Sequence, residues 1–368
     1  MASSYQWQSG VGCTYSMNLT VDLVGGFLYG KGLTLFCVLV LPLVFVVGLI
    51  SNMAFIVVVI RVPRMRNRTN CYLINLAITD IIFLLSIVGT DILAYILSPI
   101  AGDTSYLGWQ GYMYLMVIVH TVYFASLFFI TLVTIDRFYA LCRPLKLRHV
   151  NQTRQTAVLT TTSWLMSFLI ASMLFVPGCT SRYILCITWP DVERFSNFPS
   201  HVLSSYVSTY FLGFKVVPYA VTLVLNLTLY VKIVSGVRAS GARLRVHSDT
   251  RDKDKAQVIR LVIVNGVAFF LLLAPFEINA TVLVIKTLLG DYSYATFHKV
   301  VSFFALTLTY INSVVNPLIF AFISKSYRVA FKEAFGVSQW RQKRNMSTST
   351  LSSYKQNTSE TVIAPNTS

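Results

Sequence analysis

The chain has 368 residues, of which 55% are hydrophobic and 12% charged. A soluble domain carries roughly a quarter charged residues, so this composition excludes an ordinary water-soluble globular protein. Lys and Arg total 30 against 14 Asp and Glu, a net charge of +16. The bases lie between long apolar runs, so the surplus reads as membrane topology and not as nucleic-acid binding.

Residues 1–24 lack a basic start followed by a compact apolar core, so no cleavable signal peptide is expected and the first apolar helix serves as its own targeting signal. A membrane-crossing helix needs roughly 20 apolar residues. Seven stretches qualify: about 33–60, 71–98, 109–141, 155–177, 205–234, 258–287 and 298–322. They are too long and continuous for barrel strands, which leaves an all-α membrane protein, a seven-helix bundle. The predicted organisation is an extracellular segment at 1–32, the bundle at 33–322, a short amphipathic helix at 323–335 and a disordered tail at 336–368.

The loops orient the bundle. Arg61, Arg64, Arg66 and Arg68 follow the first span; Arg143, Lys146, Arg148 and Arg154 follow the third. Lys232, Arg238, Arg243, Arg245, Arg251, Lys253 and Lys255 follow the fifth, and Lys325, Arg328 and Lys332 follow the seventh. Basic loops stay in the cytosol, which predicts an external N-terminus and an internal C-terminus. Asn18-Leu19-Thr20 is then a glycosylation acceptor on the outer side. Tyr327, Phe331 and Phe335 recur at helical spacing beside Arg328 and Lys332, as in a helix lying on the inner leaflet. The Ser- and Thr-rich tail beyond Gly336 suits phosphorylation.

Charged residues inside a span are costly and point to function. Asp80 lies mid-membrane in the second span, with Ser126, Asn312, Ser313 and Asn316 available from other spans. That set suits either a sodium ion or a protonated carboxyl held by hydrogen bonds. Asp91 lies further out in the same span. Lys215 precedes Pro218 and Glu277 follows Pro275, at similar depth; they suit a buried ion pair or a polar ligand pocket. None of the six cysteines is in a CxxC pair, and no nucleophile–base pair or phosphate loop suggests an enzyme. A transporter using these charges is the rival class, against which no internal repeat is visible.

Ser51-Asn52, Leu76 through Asp80, Asp136-Arg137-Phe138, Cys142-Arg143-Pro144-Leu145, Trp164, Pro218, Phe269, Pro275 and Asn316-Pro317-Leu318-Ile319-Phe320 occur in order on successive spans. Over about residues 33–335 the chain resembles the rhodopsin-like G protein-coupled receptors, in their neuropeptide-receptor branch. The resemblance implies that Arg137, beside Asp136 and Phe138, meets a heterotrimeric G protein when the sixth helix swings outward, with Asp136 holding Arg137 at rest. It implies that Asn316, Pro317 and Phe320 belong to the same coupling machinery, with Phe320 in place of the usual tyrosine. It implies a sodium site at Asp80, Ser126, Asn312, Ser313 and Asn316, and no other cofactor. Arrestin and receptor kinases are implied partners of the tail.

Departures from the family pattern mark what is particular here. Tyr112 stands where the third helix usually carries a cysteine. Cys186 resembles the half-cystine of the second outer loop, with Cys13 and Cys179 as alternative partners. Leu273 replaces the usual switch tryptophan, Asn226 replaces a tyrosine of the fifth helix, and Lys255 stands where an acidic partner of Arg137 is usual. The outer third helix reads Val117-Ile118-Val119-His120-Thr121, without the Asp of amine receptors, and Tyr310 stands where retinal proteins carry their Lys. The second outer loop, about 178–204, resembles that of peptide receptors. The expected ligand is therefore a peptide, with a small molecule or a ligand-independent role as alternatives, and Asp91, His120, Lys215, Glu277 and Tyr310 as expected pocket residues.

Overall fold

The computed structural model describes residues 15–143, 151–173, 182–196, 198, 201–205, 209–243, 249–289 and 295–336. Seven of its helices are long and apolar enough to cross a membrane. They are α1 (Lys31–Arg61), α2 (Arg68–Leu97), α3 (Gly108–Cys142), α4 (Gln152–Met173), α5 (Thr209–Arg243), α6 (Asp249–Leu288) and α7 (Ala295–Ile323). A short α8 (Lys325–Ala334) follows. α3 is the most enclosed, packing on α2, α4, α5 and α6, whereas α1 touches α2 and α7.

The bundle is apolar outside, and its interior sets buried polar groups among a large apolar core. Leu43, Ile50, Phe168, Leu169, Val221, Val224, Leu271, Ile278 and Phe304 are exposed, while Asn52, Asp80, Asn226, Asn265, Asn312 and Asn316 are buried. An exposed apolar belt of this extent is unfavourable in water and neutral in lipid. Because lipid tails are as apolar as leucine, close packing and hydrogen bonds, not apolar burial, join the helices. Asn52 Nδ2 donates to the Gly48 carbonyl at 2.9 Å and to the Ser313 carbonyl at 2.8 Å, tying α1 to α7. Trp164 Nε1 donates to Asn75 Oδ1 at 3.0 Å, tying α4 to α2. Asn226 Nδ2 donates to Thr131 Oγ1 at 2.8 Å, tying α5 to α3.

One end of the bundle carries a three-stranded sheet. β2 (Arg182–Thr188) pairs antiparallel with β3 (His201–Ser205), and β1 (Tyr15–Asn18) lies parallel along the other side of β2, with Ser16 opposite Cys186. Leu19, Val24, Ile100, Ile187 and Phe195 form a small separate core at this end. The N-terminal segment is thus built into the loops, and the exposed Asn18 ends β1. Cys186 is disulfide-bonded, while Cys37, Cys71 and Cys142 are free. Of the six cysteines this leaves Cys13 or Cys179 as its partner, and both lie outside the described residues, as do the tail beyond Gly336 and the side chain of Lys255.

At the other end, Ser324 Oγ accepts the Tyr327 amide at 3.1 Å and starts α8. Arg328 Nη1 donates to the Ala321 and Phe322 carbonyls at 3.2 and 2.6 Å, satisfying backbone acceptors left open where α7 stops. Tyr327 stacks on Phe55 with ring centroids 5.6 Å apart, and Phe320 lies 5.3 Å from the same ring. The hydroxyl-free Phe320 is therefore a packing residue that joins α7, α1 and α8.

Gly48 allows the closest approach of α1. A Cβ there would lie 2.6 Å from Leu84 Cδ1 and 3.1 Å from Val314 Cγ2, and Leu84 is fully buried. Gly48→Ala is therefore expected to destabilise the bundle by about 1–3 kcal/mol through overpacking. Thermal melts of the purified protein check this, and adding Leu84→Val should recover part of the loss.

Candidate functional site

Lys215 and Glu277, on α5 and α6, meet in the interior. Lys215 Nζ lies 3.2 Å from Glu277 Oε1, with both side chains almost fully enclosed. Tyr123, from α3, donates its hydroxyl to the same Oε1 at 2.7 Å. The Lys215 ammonium also lies 3.7 Å from the centroid of the Phe276 ring and 4.6 Å from that of Tyr123. A buried ion pair is tolerable only when its charges are further satisfied, and two aromatic faces and a phenol do that here. Three helices are thereby joined at one point, beside the buried Leu273. His120 Nδ1 faces the Met116 carbonyl at 2.7 Å and so carries the ring proton.

Asp91 and Tyr310 form a second group, in which the Tyr310 hydroxyl donates to Asp91 Oδ2, linking α7 to α2. The expected pocket residues thus fall into two clusters. Lys215 and Glu277 form one ion pair, within electrostatic reach of His120, and Asp91 and Tyr310 form one hydrogen bond.

Around Asp80, Asn316 Nδ2 donates to Oδ2 at 2.9 Å, and Ser313 is buried on the same helix as Asn316. Ser126 Oγ instead lies 2.8 Å from both Thr79 Oγ1 and the Val122 carbonyl. Asn312 Oδ1 is buried without a hydrogen-bond partner. A carboxylate among hydroxyl and carboxamide oxygens, one of them unsatisfied, fits a hard cation such as sodium.

At the opposite end from the sheet, Asp136 does not hold Arg137. Its Oδ1 lies 3.2 Å from Arg68 Nε and its Oδ2 accepts the Thr69 hydroxyl, while Arg68 Nη1 donates to Gln155 Oε1 at 3.0 Å. Among the described residues no ion pair joins Asp136 to Arg137. The physical reason is geometric: the start of α2 brings a guanidinium and a hydroxyl directly onto the carboxylate, so the neighbour in sequence is outcompeted. Phe138 stacks edge-on against Tyr139 at 5.5 Å.

Two residues have roles that their sequence context hides. Arg68 reads as one of several basic loop residues until α2 places it on Asp136. Tyr230, one turn beyond Asn226, reaches toward α3 and α6. Its hydroxyl lies 3.4 Å from Thr134 Oγ1, and a Cβ at Gly266 would lie only 1.6 Å from it. The ring therefore occupies a notch in α6 that only glycine leaves open. The four-residue spacing from Asn226 to Tyr230 is the one trace of this in the sequence.

Residues 51–320 match the family described as 7 transmembrane receptor (rhodopsin family). The chain belongs to that family: it is a G protein-coupled receptor and a multi-pass membrane protein. It is 28% identical over 296 residues to somatostatin receptor type 2 of Mus musculus, covering 78% of this chain and 73% of that one. It is 29% identical over 299 residues to somatostatin receptor type 5 of Rattus norvegicus, covering 79% and 75%. It is 26% identical over 318 residues to the allatostatin-A receptor of Bombyx mori, covering 86% and 84%. These relatives set it in the neuropeptide-receptor branch.

The Lys215–Glu277 pair generates a charge-exchange test. Lys215→Glu and Glu277→Lys each leave like charges facing in the interior and should cost about 3–5 kcal/mol, seen as lost surface expression and lowered melting temperature. The double exchange should recover at least half of the loss. Strictly additive effects would show that the pair contributes nothing.

Proposed function

We propose that this receptor binds an extracellular peptide at the sheet end of the bundle, with its N-terminus outside the cell, and activates a heterotrimeric G protein at the Arg137 end. The observation that carries the peptide reading is the similarity, over most of the chain, to receptors named for somatostatin and allatostatin-A. The β2–β3 hairpin supports it, since an extended loop beside the bundle suits extended ligands. The inside–outside assignment is supported by the basic loops beside Arg137 and by the acceptor triplet at Asn18 on the opposite side. The basic face of α8 suits an anionic inner leaflet, and the Ser- and Thr-rich tail suits receptor kinases and arrestin.

In mechanism, a ligand is an agonist only if it binds one arrangement of the helices better than another. Lys215 and Glu277 are suited to that discrimination because α5 and α6 can separate only by exposing two buried charges. Arg137, which makes no direct ion pair with Asp136, is positioned to accept the G protein once α6 moves. A sodium ion held by Asp80, Ser313, Asn316 and Asn312 would neutralise the carboxylate and join α2 to α7, favouring the resting arrangement.

The direct test is a peptide-library screen on cells expressing the full chain with a promiscuous Gα, run beside a panel of small-molecule transmitters. Activation by a peptide pool is the expected result, and activation by small molecules alone would overturn the peptide reading. With the agonist in hand, Arg137→Ala should reduce G-protein activation at least tenfold while antibody still stains an N-terminal tag on intact cells. An unchanged response would sever Arg137 from coupling, and staining only after permeabilisation would reverse the topology.

The ion generates a separate expectation. Raising sodium at constant ionic strength should weaken agonist binding to the wild type, because the two ligands favour different states. Asp80→Asn should abolish that dependence, as read by agonist competition binding in sodium against a large organic cation.

A further inference from the structure

Glu277 uses only half of its carboxylate. Oε1 is shared by the Tyr123 hydroxyl and the Lys215 ammonium. Oε2 is buried and has no hydrogen-bond partner. An anionic oxygen at 2% residue exposure that no protein group reaches is costly unless some other donor meets it. A carboxylate oxygen is an acceptor, so the group that satisfies it is a donor.

The surroundings decide which kind of donor. Lys215 already balances the Glu277 charge, and among the described residues no second carboxylate pairs with Lys215. An ammonium or guanidinium on Oε2 would therefore place a second positive charge beside the first in a low-dielectric interior, with no further anion to offset it. A neutral O–H or N–H satisfies the same oxygen without that repulsion. The walls are aromatic: Phe276 and Tyr123 flank the pair. They favour an apolar or aromatic body carrying the donor.

We infer that the deep anchor of the ligand is a neutral hydrogen-bond donor on an aromatic body, such as a tyrosine phenol or a tryptophan indole of a peptide, that donates to Glu277 Oε2. The inference rests on the reading of the Lys215–Glu277 region as the ligand site, and it deepens that reading by excluding a basic side chain as the group bound there. Discrimination follows from the unsatisfied oxygen. A ligand lacking the hydroxyl leaves the acceptor buried and unpaired, whereas one bearing it does not.

The test uses four probes on the purified full-length receptor in detergent: p-cresol, 3-methylindole, toluene and benzylamine. They share an aromatic ring and differ in the donor. Binding is read by thermal shift and by ligand-observed magnetic resonance. p-Cresol and 3-methylindole are expected to bind at least about tenfold more tightly than toluene and benzylamine, since a lost hydrogen bond to a charged group costs about that factor. Glu277→Gln should erase the difference. Lys215→Met with Glu277→Gln, which leaves no unpaired charge, should erase it as well and guards against a single variant that does not fold. Equal binding of all four probes, or of none, would mean that an internal water alone meets Oε2, and the inference falls. Preference for benzylamine, or a p-cresol preference that survives both variants, also overturns it. The two readings fail separately. A donor preference without any active peptide pool would refute the peptide and leave the anchor standing, and active peptides with no donor preference among the four probes would do the reverse.

Discussion

No water reaches the hydrocarbon core of a bilayer, so each polar group placed there must be satisfied by the protein itself. The rest of the architecture depends on that constraint. The Asn52 carboxamide serves two carbonyls on two helices, Asn226 reaches across to Thr131, and Asn316 holds Asp80. These bonds are also the bundle's principal specificity, because apolar faces in lipid slide and rotate against one another at little cost. Where an acceptor has no protein donor, as with Asn312 Oδ1 and Glu277 Oε2, an ion, a water or a ligand group would satisfy it.

The Lys215–Glu277 pair is this constraint at its most severe. Two formal charges sit in the interior, and the structure offsets their desolvation with a short contact, a phenol donor and two aromatic faces. The same arrangement makes α3, α5 and α6 answer to one another. The usual tryptophan of the sixth helix is replaced by Leu273, which has no donor and packs passively in the core. On the function proposed above, sensing of the ligand would pass to electrostatics between α5 and α6, one turn from the position that an indole would occupy.

At the other end the restraints are arranged differently from the family pattern. Asp136 belongs to a network with Arg68, Thr69 and Gln155 that fastens α3 to α2 and α4. Among the described residues Arg137 makes no ion pair with it. What bears on α6 instead is Tyr230, seated where Gly266 has no side chain. A hydroxyl and a ring in a notch restrain by shape, and shape yields when the helix moves away, whereas an ion pair must first be rehydrated.

The seven spans, their order and the short terminal helix were legible in the sequence because hydrophobic length and helical period are local properties. The depth of Lys215 and Glu277 was legible too, since counting from Pro218 and Pro275 places them at one level. Which partners meet was not. Asp136 choosing Arg68 over Arg137, Ser126 turning to Thr79, Tyr230 entering the Gly266 notch and β1 lying parallel on β2 all join residues on different elements. Those choices depend on how each helix is rotated about its axis and on where the loops cross. Many packings that keep the same apolar faces toward lipid would leave different polar atoms unpaired, and only the assembled tertiary structure selects the one in which so few remain.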